Sequence, residues 1–122
     1  IRHSVKNARL RWSPASAIPI SCPMASNATD WLQPKPEGLY LPGADAWIDP
    51  SKPVARAIIT HGHSDHARGG HGEVWATAPT LAIMGERYGA QPGGRPLGHG
   101  EAVEMGGVRL SLHPAGHVLG SA

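Results

Sequence analysis

The sequence predicts a small α+β chain, and three patterns lead to that prediction. Val54-Ala55-Arg56-Ala57-Ile58-Ile59-Thr60 is an apolar, partly β-branched run of the length of a buried strand. Leu81, Ile83, Met84 and Tyr88 recur at near-helical spacing between Pro79 and Gly89. Proline in the first turn and glycine just past the last are the usual helix brackets. Val108, Leu110 and Leu112 alternate with Arg109, Ser111 and His113 after Gly106-Gly107, which reads as the second arm of a hairpin begun at Glu101–Met105.

The remaining elements follow in order. Met24 to Gly38 is polar and carries Pro34 and Pro36, an extended lead-in. Leu39-Tyr40-Leu41 and Ala46-Trp47-Ile48 are two short strands around the turn Pro42-Gly43-Ala44-Asp45. Ala67 to Gly72 is a glycine-rich connector, Glu73-Val74-Trp75-Ala76 a short strand, and residues 89 to 100 a Gly/Pro loop.

The chain has 122 residues, enough for one small domain, and its 16 Gly and 12 Pro mark short elements joined by loops. No stretch approaches the roughly 20 apolar residues of a membrane span, so the expected setting is soluble and cytoplasmic. Cys22 is the single cysteine, which excludes an internal disulfide and a cysteine zinc cage. The formal charge of +2 is uneven. Arg2, Lys6, Arg9 and Arg11 stand in an acid-free stretch of the first 23 residues, whereas seven Lys and Arg face nine acids from Met24 on, a balance of 7 − 9 = −2. The basic character belongs to the amino-terminal segment and does not argue for nucleic-acid binding by the rest. Residues 1 to 23 fit either a transit peptide or upstream codons ahead of a start at Met24; the lack of an amphipathic stripe favours the second. Residues 24 to 122 are then the domain, and Cys22 is a bystander.

The chemistry concentrates in His61-Gly62-His63-Ser64-Asp65-His66, directly after the buried run. His61 and His63, two apart on extended backbone, can point the same way and share one ion. Asp65 and His66 follow the turn and can face a second. Imidazole with carboxylate suits zinc, and also manganese or iron. His117, between small residues after a strand, is the candidate third imidazole for the first ion. Asp49 is either a turn carboxylate serving local N–H groups or a partner orienting the ligand imidazoles. His3, His71, His99 and His113 lack such spacing; His113 is expected at the surface, and His71 and His99 in flexible loops. A phosphate-binding glycine loop and a Gly-x-Ser-x-Gly elbow are both absent, which removes nucleotide-hydrolase and serine-nucleophile readings.

The strand followed by His-Gly-His-Ser-Asp-His resembles the signature of the metallo-β-lactamase superfamily. Gly38-Leu39-Tyr40, Ile48-Asp49-Pro50, Ala57 to Ala67 and His113-Pro114-Ala115-Gly116-His117-Val118-Leu119-Gly120-Ser121-Ala122 are similar to its β-CASP nuclease branch. Within it they are most like the bacterial DNA-ligase-associated exonucleases, often labelled as similar to mRNA 3′-end processing factors. The resemblance runs from about residue 30 to Ala122. It implies the amino-terminal part of an αββα sandwich with two divalent ions, zinc or manganese, at one edge. It further implies that His61, His63 and His117 hold the first ion. Asp65 and His66 would help hold the second, Asp65 orienting the attacking nucleophile, and Asp49 matches the acidic residue that precedes the signature.

The implied activity is a metal-dependent phosphodiesterase, a DNA exonuclease of repair, working beside an ATP-dependent DNA ligase and a helicase. A bridging Asp, a further His and the inserted β-CASP domain have no counterpart before Ala122, so this stretch alone is expected to show little activity. An RNA-processing nuclease and a glyoxalase II-like thioester or lactone hydrolase share the same ligands. A non-catalytic metal-binding module is the reading from outside enzymology.

Overall fold

A computed structural model describes residues 27–122; the expectations for residues 1 to 23, including Cys22, and for a start at Met24 lie outside them. The fold is α+β. A six-stranded sheet runs in chain order: β1 (Gln33–Lys35), β2 (Gly38–Leu41), β3 (Ala46–Ile48), β4 (Arg56–Ile58), β5 (Glu73–Ala76) and β6 (Gly94–Pro96). The first three strands pair antiparallel, and β3 to β6 pair parallel. A second, two-stranded sheet is the antiparallel hairpin of β7 (Ala102–Met105) and β8 (Val108–Ser111). Two helices, α1 (Ala28–Trp31) and α2 (Ala78–Tyr88), complete the described residues.

Strand alternation decides what each face of the sheet buries. Ala57, Ile59, Val74 and Ala76 point to one side, where Met84 of α2 and Ala67 seal them. Their neighbours Ala46 and Ile58 point to the other, where Met105 of the hairpin covers them with Val103, Val108 and Leu110 alongside. The sheet is thus a middle layer between a helix and a hairpin. Its parallel strands all end at one edge, so Asp49, Thr60 and Thr77 follow β3, β4 and β5 side by side there. The carboxyl edge of parallel strands is where α/β sheets place ligands.

Helix α2 forms as its brackets predict. The Thr77 side chain accepts from Thr80 N–H, Pro79 lies in the first turn, and Gly89 at φ 83° ends it by donating its N–H to the Gly85 carbonyl. The hairpin follows its alternation: Leu112 is buried, and His113 is exposed beside the Ser111 hydroxyl.

Three elements depart from the sequence reading. The run 54–60 contributes only Arg56–Ile58 as regular strand, although Ile59 N–H still donates to the Trp75 carbonyl. The lead-in contains α1 and an edge strand, β1, with Pro34 in the ladder; an outer strand tolerates the missing donor. The expected loop 89 to 100 contains β6, whose glycine and proline carry no strand signal. Its pairing is imposed by β5: Val74 N–H donates to the Gly93 carbonyl and Leu97 N–H to that of Ala76.

His71 also differs from the expectation of a flexible loop. It is half-buried, and its Nδ1 accepts from Val54 N–H at 3.2 Å, fixing the entry to β4. Burial pushes its pKa down, so it stays neutral at neutral pH, as an accepting nitrogen requires.

Candidate metal centre

The site is built where β3 and β4 end. His63 carbonyl accepts from His66 N–H (3.0 Å) and Ala67 N–H (2.7 Å), folding Ser64-Asp65-His66 into one tight turn. Helix α2 supports that turn from beneath. Arg87 donates to the Gly62 carbonyl at 2.9 Å and to that of Ala67 at 3.5 Å. Gly62 is where helix and loop touch, since a Cβ there would lie 2.9 Å from the Ile83 Cδ1.

His61, His63 and His117 come together with donor nitrogens within 4.8 Å of one another. Their rings stand edge to face around a common point: 5.0 Å and 82° for His61–His63, 4.9 Å and 77° for His61–His117, 4.9 Å and 80° for His63–His117. His117 Nε2 lies 3.3 Å from His63 Nδ1. Two nitrogens bound to one tetrahedral zinc at about 2.0–2.1 Å stand about 3.3 Å apart, so this pair is spaced to share one ion.

Asp49, His61 and His66 form a second group within the same 4.8 Å. Donor counting assigns the carboxylate there a different task. Asp49 Oδ1 accepts Thr60 N–H (2.8 Å), while Oδ2 accepts the Thr60 hydroxyl (2.6 Å) and His66 Nδ1–H (3.0 Å). The Thr60 hydroxyl has spent its one proton on Asp49, so at 2.8 Å it accepts from His61 Nδ1–H. Both rings are therefore held as Nδ1–H tautomers, with the Nε2 lone pair turned outward. This is how carboxylates fix metal-ligating histidines. Desolvation pushes the His61 pKa down, and the charges of His66, His117 and His63 add to it against the opposing pull of Asp49. Its Nε2 is accordingly free to ligate at neutral pH.

Asp65 points outward, its side chain 73% exposed, with Oδ2 3.5 Å from His66 Nε2. The structure thus gathers His61, His63 and His117 at one position and sets Asp65 and His66 together beside it, with Asp49 behind both. Such groups could hold a metal ion.

Several residues of the site carried no sequence-level assignment. The His117 loop is closed by Ser121, 4% exposed, whose hydroxyl accepts from His117 N–H (3.0 Å) and Val118 N–H (3.2 Å). The loop is then fixed to α2 by the Thr77 and Thr80 hydroxyls, which donate to the Gly120 carbonyl at 2.6 and 3.3 Å. Gly120 sits at φ 77°, and a Cβ there would lie 2.7 Å from Thr77 Oγ1 and 2.8 Å from Pro79 Cβ. Gly120→Ala is expected to cost about 1–3 kcal/mol of stability, the range for left-handed strain, and to weaken zinc binding by displacing His117. Thermal unfolding with and without zinc measures both; a variant matching wild type in each removes Gly120 from this role.

Thr60 offers a sharper test. Thr60→Val should lower zinc affinity about 10–100-fold, the usual effect of losing an orienting partner, and Thr60→Ser should restore it. Competition with a chromophoric chelator reads the affinity, and equal loss in both variants would mean that packing, and not the hydroxyl, matters.

Comparison with known proteins gives one informative likeness. The chain is 38% identical over 86 residues to a protein of Opitutus terrae (strain DSM 11246 / JCM 15787 / PB90-1) described as a probable DNA ligase. The aligned stretch is 70% of this chain. It spans 8% of the length of that curated relative. No family model matches the chain, and no solved structure matches it. No helix among the described residues is long and apolar enough to cross a membrane.

Proposed function

We propose that the chain carries the metal-binding part of a metal-dependent phosphodiesterase, a DNA exonuclease acting in repair. The observation that carries this reading is the 3.3 Å approach of His117 Nε2 to His63 Nδ1, made across 54 positions of sequence and completed by His61. Such convergence on a sheet edge is the architecture of a catalytic metal centre. The likeness to a protein named as a probable DNA ligase supports DNA as the substrate. A DNA ligase and a helicase as working partners, and the cytoplasm as the setting, are part of this reading.

Two zinc or manganese ions bound here would supply a water acidified to near neutrality and charge stabilisation at phosphate oxygens. The residues do the rest. His61, His63 and His117 hold the first position, and Asp65 and His66 contribute to the second. Asp49 and Thr60 keep two of the rings aimed. The exposed Asp65 carboxylate stands where it can accept a proton and orient a nucleophile.

The test uses the full reading frame that encodes this chain, on end-labelled single-stranded DNA and RNA, with and without chelator. Shortening of DNA from one end, abolished by chelator, is the expected result. Preference for RNA would make it an RNA-processing nuclease. Intact nucleic acid with turnover of a thioester or lactone would overturn the reading in favour of a glyoxalase II-like hydrolase, and metal binding without turnover would leave a binding module.

A further inference from the structure

Beside Asp65 and His66 opens a cleft of about 460 Å³, which lies on the hairpin-facing side of the sheet. Pro34, Leu39 and Ile48 form its floor, in register across β1, β2 and β3. Leu39 remains 40% exposed, an apolar side chain kept in contact with water next to the candidate metal centre. Apart from Lys35, the ionisable side chains that line the cleft are Asp49, Asp65 and His66, which stand together at one end. Lys35 contributes to the rim, but its ammonium lies 4.2 Å over the Tyr40 ring, and Tyr40, adjacent to Leu39 on β2, faces the opposite side of the sheet.

These facts restrict the occupant. With the Lys35 ammonium turned away, the apolar floor offers a phosphate no positive charge and suits an uncharged group, while a phosphate belongs with the ion that Asp65 and His66 would help hold. Its volume is that of a small-ligand pocket, about 300–1,000 Å³. The uncharged group adjoining a phosphodiester is a nucleoside, whose base can lie flat on an aliphatic platform only when it is unpaired. Resting on the nuclease reading above, we propose that the Pro34–Leu39–Ile48 cleft seats the unpaired base next to the phosphate positioned at Asp65 and His66. The substrate is then a single-stranded end.

The test is methyl and imidazole NMR on the zinc-loaded 122-residue chain, titrated with a thymidine dinucleotide, its abasic counterpart and a short-chain acyl thioester. The dinucleotide is expected to shift the Leu39 and Ile48 methyls together with His66, and the abasic compound to shift His66 alone. Leu39→Ser should weaken dinucleotide binding about fivefold, the low end of what a base stacked on an aromatic ring contributes. It should leave abasic binding unchanged, while Leu39→Met should bind as wild type. Equal methyl shifts from the abasic compound, or a His66 response with silent Leu39 and Ile48, overturn the base seat and leave the nuclease reading intact. Methyl shifts from the thioester alone overturn both. No response to any ligand up to about 10 mM, weaker than the millimolar range of a bare contact, also overturns the seat.

Discussion

His63→Ala and His117→Ala should each lower the zinc affinity of the chain by more than about 100-fold, beyond the 10–100-fold typical of orienting partners. His63 Nδ1 and His117 Nε2 stand 3.3 Å apart, and His61 supplies the remaining nitrogen of that group. Removing either ring leaves two imidazoles where a tetrahedral ion asks for about four ligands. The folding cost should be small, because both side chains are exposed. His113→Ala is the control: its ring is exposed and lies beside Ser111, away from the cluster. Metal content after gel filtration, with chelator competition for affinity, reads the result. Unchanged zinc in either variant would refute the assignment of that residue.

Asp49→Ala should act on both positions at once. One half-buried carboxylate accepts from Thr60 N–H, the Thr60 hydroxyl and His66 Nδ1–H. Its loss leaves three donors without their acceptor, at about 1–3 kcal/mol for each one that water cannot reach. Because the side chain is 16% exposed and water can reach part of the gap, the expected total is about 2–3 kcal/mol and not the full sum. Asp49 also sits at φ 44°, a conformation that few side chains adopt, with its N–H donating to the Ile58 carbonyl at 2.9 Å. Strain of that kind concentrates at functional sites.

Asp49→Gly separates the two effects. Glycine relieves the backbone while deleting the acceptor, so it should be more stable than Asp49→Ala yet bind zinc as weakly, about 10–100-fold below wild type. Unfolding midpoints and chelator competition on the same samples measure both. Wild-type zinc affinity in Asp49→Gly would show that the carboxylate does not orient the ligands.

The legible part of this molecule is the part written in local pattern. His61, His63, Asp65 and His66 are contiguous after an apolar run, α2 has its brackets, and the hairpin has its alternation. The edge strands were hidden because Pro34, Gly94 and Pro96 lack strand preference; Pro34 is held by the adjacent β2, and Gly94 and Pro96 by β5, 20 positions earlier in the chain. The anchoring of His117 was hidden for a related reason. Thr77, Thr80 and Arg87 look like ordinary helix residues, and only the fold sets them beneath Gly120 and Gly62. Thr60 was visible as the end of the strand, but its role depends on Asp49, 11 positions earlier, reaching its hydroxyl.

The distance in sequence between His63 and His117 has a consequence for how the chain is held closed. They are 54 positions apart, and the segment between them contains β5, α2, β6 and the hairpin. An ion shared by the two rings joins the ends of a long loop, the arrangement in which a crosslink removes most entropy from the unfolded chain. The stretch that brings His117 is otherwise fastened by a few hydroxyls and by Ala122 N–H donating to the Thr60 carbonyl at 2.9 Å. A metal bound at this point would also be a clasp, closing the stretch from His63 to His117 into a ring.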